Sequence, residues 1–190
     1  MRLDPNVSTG VEYTLVHLIE RLEDVEKIAA RCRISGPDVR FALGTLGGPA
    51  IAREVLRDLE VTQVPPALRS TVEALAASVF QPVDEAIRQI EHAISAHVDP
   101  EALFMLAMLL VRLGAVPRGL EVIGRAVGAG YTPVSTLARN YVFDPVRGDA
   151  PFAAIEAEAR RRMLAASAVF EREGGPALLG MPPATRLYPV

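Results

Sequence analysis

The chain has 190 residues, half of them hydrophobic, and a formal net charge of −3 at pH 7. A chain of this size and composition can bury a substantial core without disulfides or structural metals. Its single cysteine excludes an intrachain disulfide, and its small negative charge argues against a dominant electrostatic grip on nucleic acid or on an anionic membrane. We therefore expect a globular protein of the reducing cytoplasm.

Export and membrane signals are not expected either. Residues 1–10 have neither the basic start nor the apolar stretch of a signal peptide. The longest apolar run, Ala102 to Val111, is about half the roughly 20 residues that a membrane-spanning helix requires. This run indicates a buried core helix, and we expect no membrane partner.

The N-terminal third shows apolar residues at helical spacing, first from Val11 to Cys32 and then in shorter patterns. Val64-Pro65-Pro66 interrupts the periodicity because proline cannot continue a helix. We place a boundary here, between an atypical N-terminal helical unit at 1–64 and a second region at 67–180. Residues 181–190 form a proline-containing tail.

The second region predicts helices joined by very short connections, which force neighbouring helices to run antiparallel. Alternating runs rich in valine, isoleucine and threonine are missing from the sequence, so the predicted fold class is all-α. The four helices predicted first are Leu68–Phe80, Val83–Ala96, Glu101–Leu113 and Pro117–Ala129.

Two stretches of this region repeat each other 33 residues apart, which divides it into units at 67–99 and 100–132. A fixed period in the thirties is typical of stacked helical hairpins. Small residues recur where helices would touch and would allow close approach. The small pairs are Ala74 and Ala107, Ala86 and Gly119, and Ala93 and Ala126, while Ile90 and Ile123 form a large pair.

This alternation of small and large residues resembles the tetratricopeptide repeat, whose period is one residue longer. The segment from Thr136 to Phe152 is similar to the stretch that closes many bacterial tetratricopeptide arrays, including arrays attached to signalling enzymes and transcription regulators. The resemblance implies a right-handed solenoid of helical hairpins with a C-terminal cap at 133–180. In that cap, Phe143, Val146 and Phe152 would fold back on the last hairpin, followed by a long helix from Phe152 to Arg172.

A tetratricopeptide-like array implies a non-enzymatic scaffold that holds a peptide or protein segment on its concave face, which the first helix of each hairpin lines. Helix phase predicts exposed contact residues on these helices. An alternative is that Phe104 to Val111 is buried on all sides, or that it forms a self-association surface of a homo-oligomer. The predicted contact residues are Arg69, Glu73, Glu101, Met105 and Arg112.

Catalytic residues are not expected. His92 and His97 are five residues apart near a helix end and would not share a face for two metal bonds. Cys32 lies on the apolar side of its predicted helix, where a free cysteine packs as a small hydrophobe. The sequence thus predicts no enzyme, no metal and no cofactor.

A second function stays open. Residues 25–43 resemble the helix-turn-helix of bacterial regulators, although Arg33 stands where the tight turn usually has glycine. Residues 1–66 carry eight basic and ten acidic side chains, whereas a DNA-reading unit usually presents a basic face. Nucleic acid is therefore the less favoured partner. The alternative function is a DNA-binding regulator with a tetratricopeptide-like sensing or dimerising domain.

Overall fold

The computed structural model describes residues 50, 52–53, 56, 66–178 and 180. Their regular secondary structure is entirely helical, without a strand among these residues, which confirms the all-α prediction. The helix-turn-helix-like segment at 25–43, most of the predicted N-terminal unit and the tail at 181–190 lie outside the described residues. From the N-terminal unit, Ala52 is buried in the core and Leu56 packs against it.

Seven α-helices and one 3₁₀ helix follow one another in the continuous described stretch. The four predicted first agree with the structure to within two residues at each end, and the long C-terminal helix begins two residues earlier than predicted. The α-helices are α1 Pro66–Phe80, α2 Val83–Ala96, α3 Pro100–Arg112, α4 Val116–Gly128, α5 Val134–Arg139, α6 Ala150–Arg172 and α7 Gly175–Leu178, with the 3₁₀ helix at Tyr141–Val146.

Helix α3 shows how local sequence sets the helix ends. The Asp99 carboxylate accepts hydrogen bonds from the backbone N–H groups of Glu101 and Ala102, at 3.3 and 3.4 Å, and thereby caps the helix. Pro100 occupies the first turn, where its missing N–H costs nothing. Beyond the other end, Gly114 has a φ of 86°, a left-handed conformation that lets the chain turn directly into α4.

The helices pack as two antiparallel hairpins, α1 with α2 and α3 with α4, and α3 also contacts both helices of the first hairpin. All six small residues of the repeat are buried. At Gly119 a Cβ atom would lie 2.6 Å from Val111 Cγ2 and 3.1 Å from the Ala107 carbonyl oxygen. The close approach of α3 and α4 therefore requires glycine at this position.

The segment after α4 closes the end of the stack. Phe143 of the 3₁₀ helix lies with its ring centroid 6.1 Å from that of Phe104 in α3 and 5.3 Å from that of Phe152 in α6. Phe143, Val146 and Phe152 are all buried, as the sequence predicts for a cap. Helix α6 then packs along α4 and α5.

Arg147 fastens this cap. Its guanidinium donates hydrogen bonds to the carbonyl oxygens of Leu137, Ala138 and Asn140 at 2.8, 2.6 and 2.7 Å, and to an Asp144 carboxylate oxygen at 2.9 Å. The three carbonyls lie at the end of α5, where a helix has no further N–H groups of its own to offer them. One side chain thus joins α5 to the turn that leads into α6.

Candidate functional site

The predicted concave surface is not open at α3. Every residue from Ala102 to Val111 is buried, because α1, α2, α4 and the 3₁₀ helix all pack against this helix. The expectation of a helix buried on all sides is confirmed, and the expectation that α3 offers exposed contact residues is wrong. Ten consecutive apolar residues leave this helix no polar stripe to present to water.

The five predicted contact residues have different environments. Arg69 and Glu73 of α1 are exposed, as predicted. Met105 is 1% exposed, so the prediction that it contacts a partner on the surface is corrected: it belongs to the core. Glu101 and Arg112, at the two ends of α3, are half-buried.

The two half-buried charges have structural roles. Arg112 Nη2 donates a hydrogen bond to Ser78 Oγ of α1 at 3.0 Å, and burial lowers the pKa of its guanidinium. The Tyr131 hydroxyl donates a hydrogen bond to Glu101 Oε1 at 3.4 Å, and burial, with the nearby charge of Asp99, raises the pKa of Glu101. Both side chains thus have partners within the protein.

A surface groove lies beside the first hairpin. It encloses about 490 Å³ between the last two turns of α1, the short connection and the first turns of α2. Phe80, 57% exposed, forms its largest apolar surface. We call this the α1–α2 groove; its lining residues are Glu73, Ala76, Ala77, Phe80, Gln81, Glu85 and Gln89.

The α1–α2 groove combines an apolar floor with acidic edges. Glu73 and Glu85 are its ionisable lining residues, and neither has a basic neighbour in the lining. Arg88, one turn further along α2, pairs with Glu85 and lowers the pKa of that carboxyl, so Glu85 is ionised at neutral pH. The groove therefore presents negative charge beside exposed apolar carbon, with two glutamine amides as further hydrogen-bonding groups.

Of the predicted contact residues, only Glu73 lines this groove. Sequence reasoning missed Phe80, Glu85 and Gln89, although a signal was present. Phe80 lies seven residues after Glu73 on the same helical face, and a ring at the end of a helix, directly before Gln81-Pro82, has no following turn to cover it.

The histidines on the described part of the chain do not form a metal site. His97 Nε2 is hydrogen-bonded to the Ser70 and Thr71 hydroxyls at 3.0 and 2.9 Å, which joins the end of α2 to the start of α1. His92 is exposed on α2. No cluster of three or more His, Cys, Asp or Glu side chains suited to a metal ion occurs among the described residues.

Comparisons with known proteins add no identity. No protein-family model matches the chain, and neither the curated proteins nor the solved structures contain a significant match. None of the helices in the described ranges combines the length and the hydropathy that a membrane span requires.

Proposed function

We propose that this protein is a non-enzymatic interaction scaffold of the tetratricopeptide type, and that it binds a peptide or protein segment in the α1–α2 groove. The observation that carries the proposal is the exposed Phe80 ring at the floor of an open groove with Glu73 and Glu85 at its edges. Exposed aromatic surface in a concave site is the usual anchor of protein recognition.

The arrangement of the hairpins supports this proposal. Two hairpins whose small residues are buried at equivalent positions, followed by an aromatic cap, are consistent with a helical-repeat module. Because α3 is enclosed, the inner surface of the second hairpin is not offered as a binding face. The first hairpin retains an accessible groove, and the proposed site is moved there.

The chemistry of the groove selects the kind of segment. Apolar side chains of a partner would cover Phe80 and the two alanines, and a lysine or arginine near each end would face Glu73 and Glu85. An amphipathic segment that carries both kinds of residue on one side satisfies these conditions. We therefore assign a basic, amphipathic peptide segment as the ligand class.

A peptide-display selection tests this proposal. A random peptide library is selected on the full-length chain, and enriched peptides are measured by fluorescence anisotropy against the wild type, Phe80→Ala and Glu73→Lys. We expect peptides with apolar and basic residues to be enriched and each variant to weaken their binding at least tenfold, about 1.4 kcal/mol.

Two control variants carry the same types of change outside the groove. Val98→Ala truncates another exposed apolar side chain, and Glu173→Lys reverses another exposed carboxylate at the end of α6. Both should bind the selected peptides as the wild type does. A selection without enrichment, or binding that Phe80→Ala and Glu73→Lys leave unchanged, would refute the groove as the site.

A further inference from the structure

The second half of α6 extends beyond the helix on which the first half packs. Arg162 Nη1 donates a hydrogen bond to the carbonyl oxygen of Gly128, the last residue of α4, at 3.0 Å. Residues 163–172 continue past this point, for about 15 Å at 1.5 Å per residue. This part of α6 therefore has no hairpin partner in α4.

This projecting part is apolar on its outer side. Leu164 and Val169 are 45% and 47% exposed, and Ala165 and Ala168 are exposed as well. Arg161, Leu164, Ala165 and Ala168 follow the spacing i, i+3, i+4 and i+7, so they lie on one helical face. A run of exposed apolar residues on a helix is a feature of contact surfaces.

The charges that flank the apolar run divide into blocks. Arg160, Arg161 and Arg162 precede the run, and Glu171 and Glu173 follow it, with Arg172 between the two carboxylates. In an antiparallel pair of identical helices centred on the run, the basic block of each copy lies beside the two carboxylates of the other. A two-fold axis repeats this match at both ends of the contact. In a parallel pair the same blocks would face themselves.

Side-chain size follows the same symmetry. When the helices cross at the level of Ala166, Leu164 of one copy faces Ala168 of the other, so each large side chain meets a small one. The segment 156–173 contains four glutamates and four arginines, so it has no excess positive charge to attract an anionic membrane. Both features favour a second copy of the same helix as the occupant.

We infer that α6 is a self-association surface on which two copies of this chain pair antiparallel through Leu164, Ala165 and Ala168, with Arg161 of each copy facing Glu171 of the other. This inference is independent of the α1–α2 groove. Two helix faces of this length form an interface at the small end of the range for specific complexes. The dissociation constant should therefore be on the order of 10 µM.

Sedimentation velocity of the full-length chain from about 1 to 200 µM tests the inference, the range being set to bracket that constant. We expect a concentration-dependent monomer–dimer equilibrium that Ala168→Glu abolishes. Arg161→Glu and Glu171→Arg should each weaken the dimer about tenfold, and the double variant should restore it, since the charges then match again. Circular dichroism of each variant checks that helicity is retained.

Cross-linking determines the orientation. In a Cys32→Ser background, Ala165→Cys should form a disulfide-linked dimer on mild oxidation. Ala154→Cys, exposed on the same face, should not, since the two copies of that residue would be about 36 Å apart in the antiparallel pair. Equal cross-linking at both positions would indicate a parallel pair and overturn the inference. A constant monomer mass, or a dimer that Phe80→Ala dissociates and Ala168→Glu does not, would also overturn it.

Discussion

Arg112 and Ser78, 34 residues apart in the chain, are joined by a hydrogen bond of 3.0 Å from guanidinium to hydroxyl. The bond connects the end of α3 to the last turns of α1, and so links the two hairpins through a half-buried charge. The same guanidinium lies close to Tyr141 of the 3₁₀ helix, and burial raises the pKa of the Tyr141 phenol. A residue that helix phase assigned to a binding surface is in fact part of the connection between hairpins and cap.

Arg112→Ala should destabilise the protein by about 2 kcal/mol, because it removes a charge-assisted hydrogen bond and the packing of the arginine stem. Urea unfolding followed by far-ultraviolet circular dichroism measures the change. Arg69→Ala, on exposed α1 surface, is the matched control and should stay within about 0.5 kcal/mol of the wild type. Equal losses in the two variants would contradict the structural role of Arg112.

Gly119→Ala should destabilise by about 1–3 kcal/mol, because the new methyl group would overlap Val111 and press on the backbone of α3. Gly124→Ala, five residues further along α4, is the control: its Cβ would meet only Ile155 at 4.0 Å. That substitution should stabilise the protein by about 0.5–1 kcal/mol through helix propensity. Thermal unfolding midpoints that move in the same direction for both variants would contradict the close approach of α3 and α4.

Arg147→Lys should loosen the cap while leaving the hairpins intact. A lysine ammonium cannot reproduce the planar fork that reaches three carbonyl oxygens and one carboxylate. We expect amide hydrogen exchange in residues 134–146 to accelerate at least tenfold, with little change in α3. Arg160→Lys, an exposed arginine on α6, should leave the exchange pattern unchanged, and protection equal to the wild type in Arg147→Lys would refute the clamp.

The ion pair between α2 and α4 predicts a pH dependence. Arg118 Nε and Nη2 each donate to one carboxylate oxygen of Glu91 at 2.8 Å, and this pairing lowers the pKa of Glu91 below its ordinary value of 4.5. A lowered pKa in the folded state means that the contribution to stability is complete above pH 4.5 and is lost as the pH falls below it. The contribution should be about 1 kcal/mol, since both side chains are 35% exposed.

The test compares the wild type with Glu91→Gln in urea unfolding from pH 7 to pH 3. The wild type should be the more stable protein at pH 7, and the difference should shrink toward zero at pH 3 as the Glu91 carboxylate is protonated. A difference that stays constant over this range would show that the ion pair does not contribute. Other acidic groups titrate in both proteins and cancel in the comparison.

The local sequence determined the helices and much of the cap. Apolar spacing and the Pro and Gly signals at 66–178 predicted five helices to within two residues, because these signals act within one or two turns of the chain. The buried positions of Ala86, Gly119, Phe143 and Phe152 also followed from the sequence, since a repeat with small residues at fixed places requires close contacts.

Only the tertiary structure decided which faces remain accessible. Helix phase divides a helix into sides but does not say how many neighbours will cover it, and α3, enclosed by four elements, lost the surface that phase assigned to Met105 and Arg112. The α1–α2 groove and the projecting half of α6 depend on where neighbouring helices end. The sequence therefore determined the elements through short-range spacing, whereas the surfaces available for binding result from long-range packing that no single segment encodes.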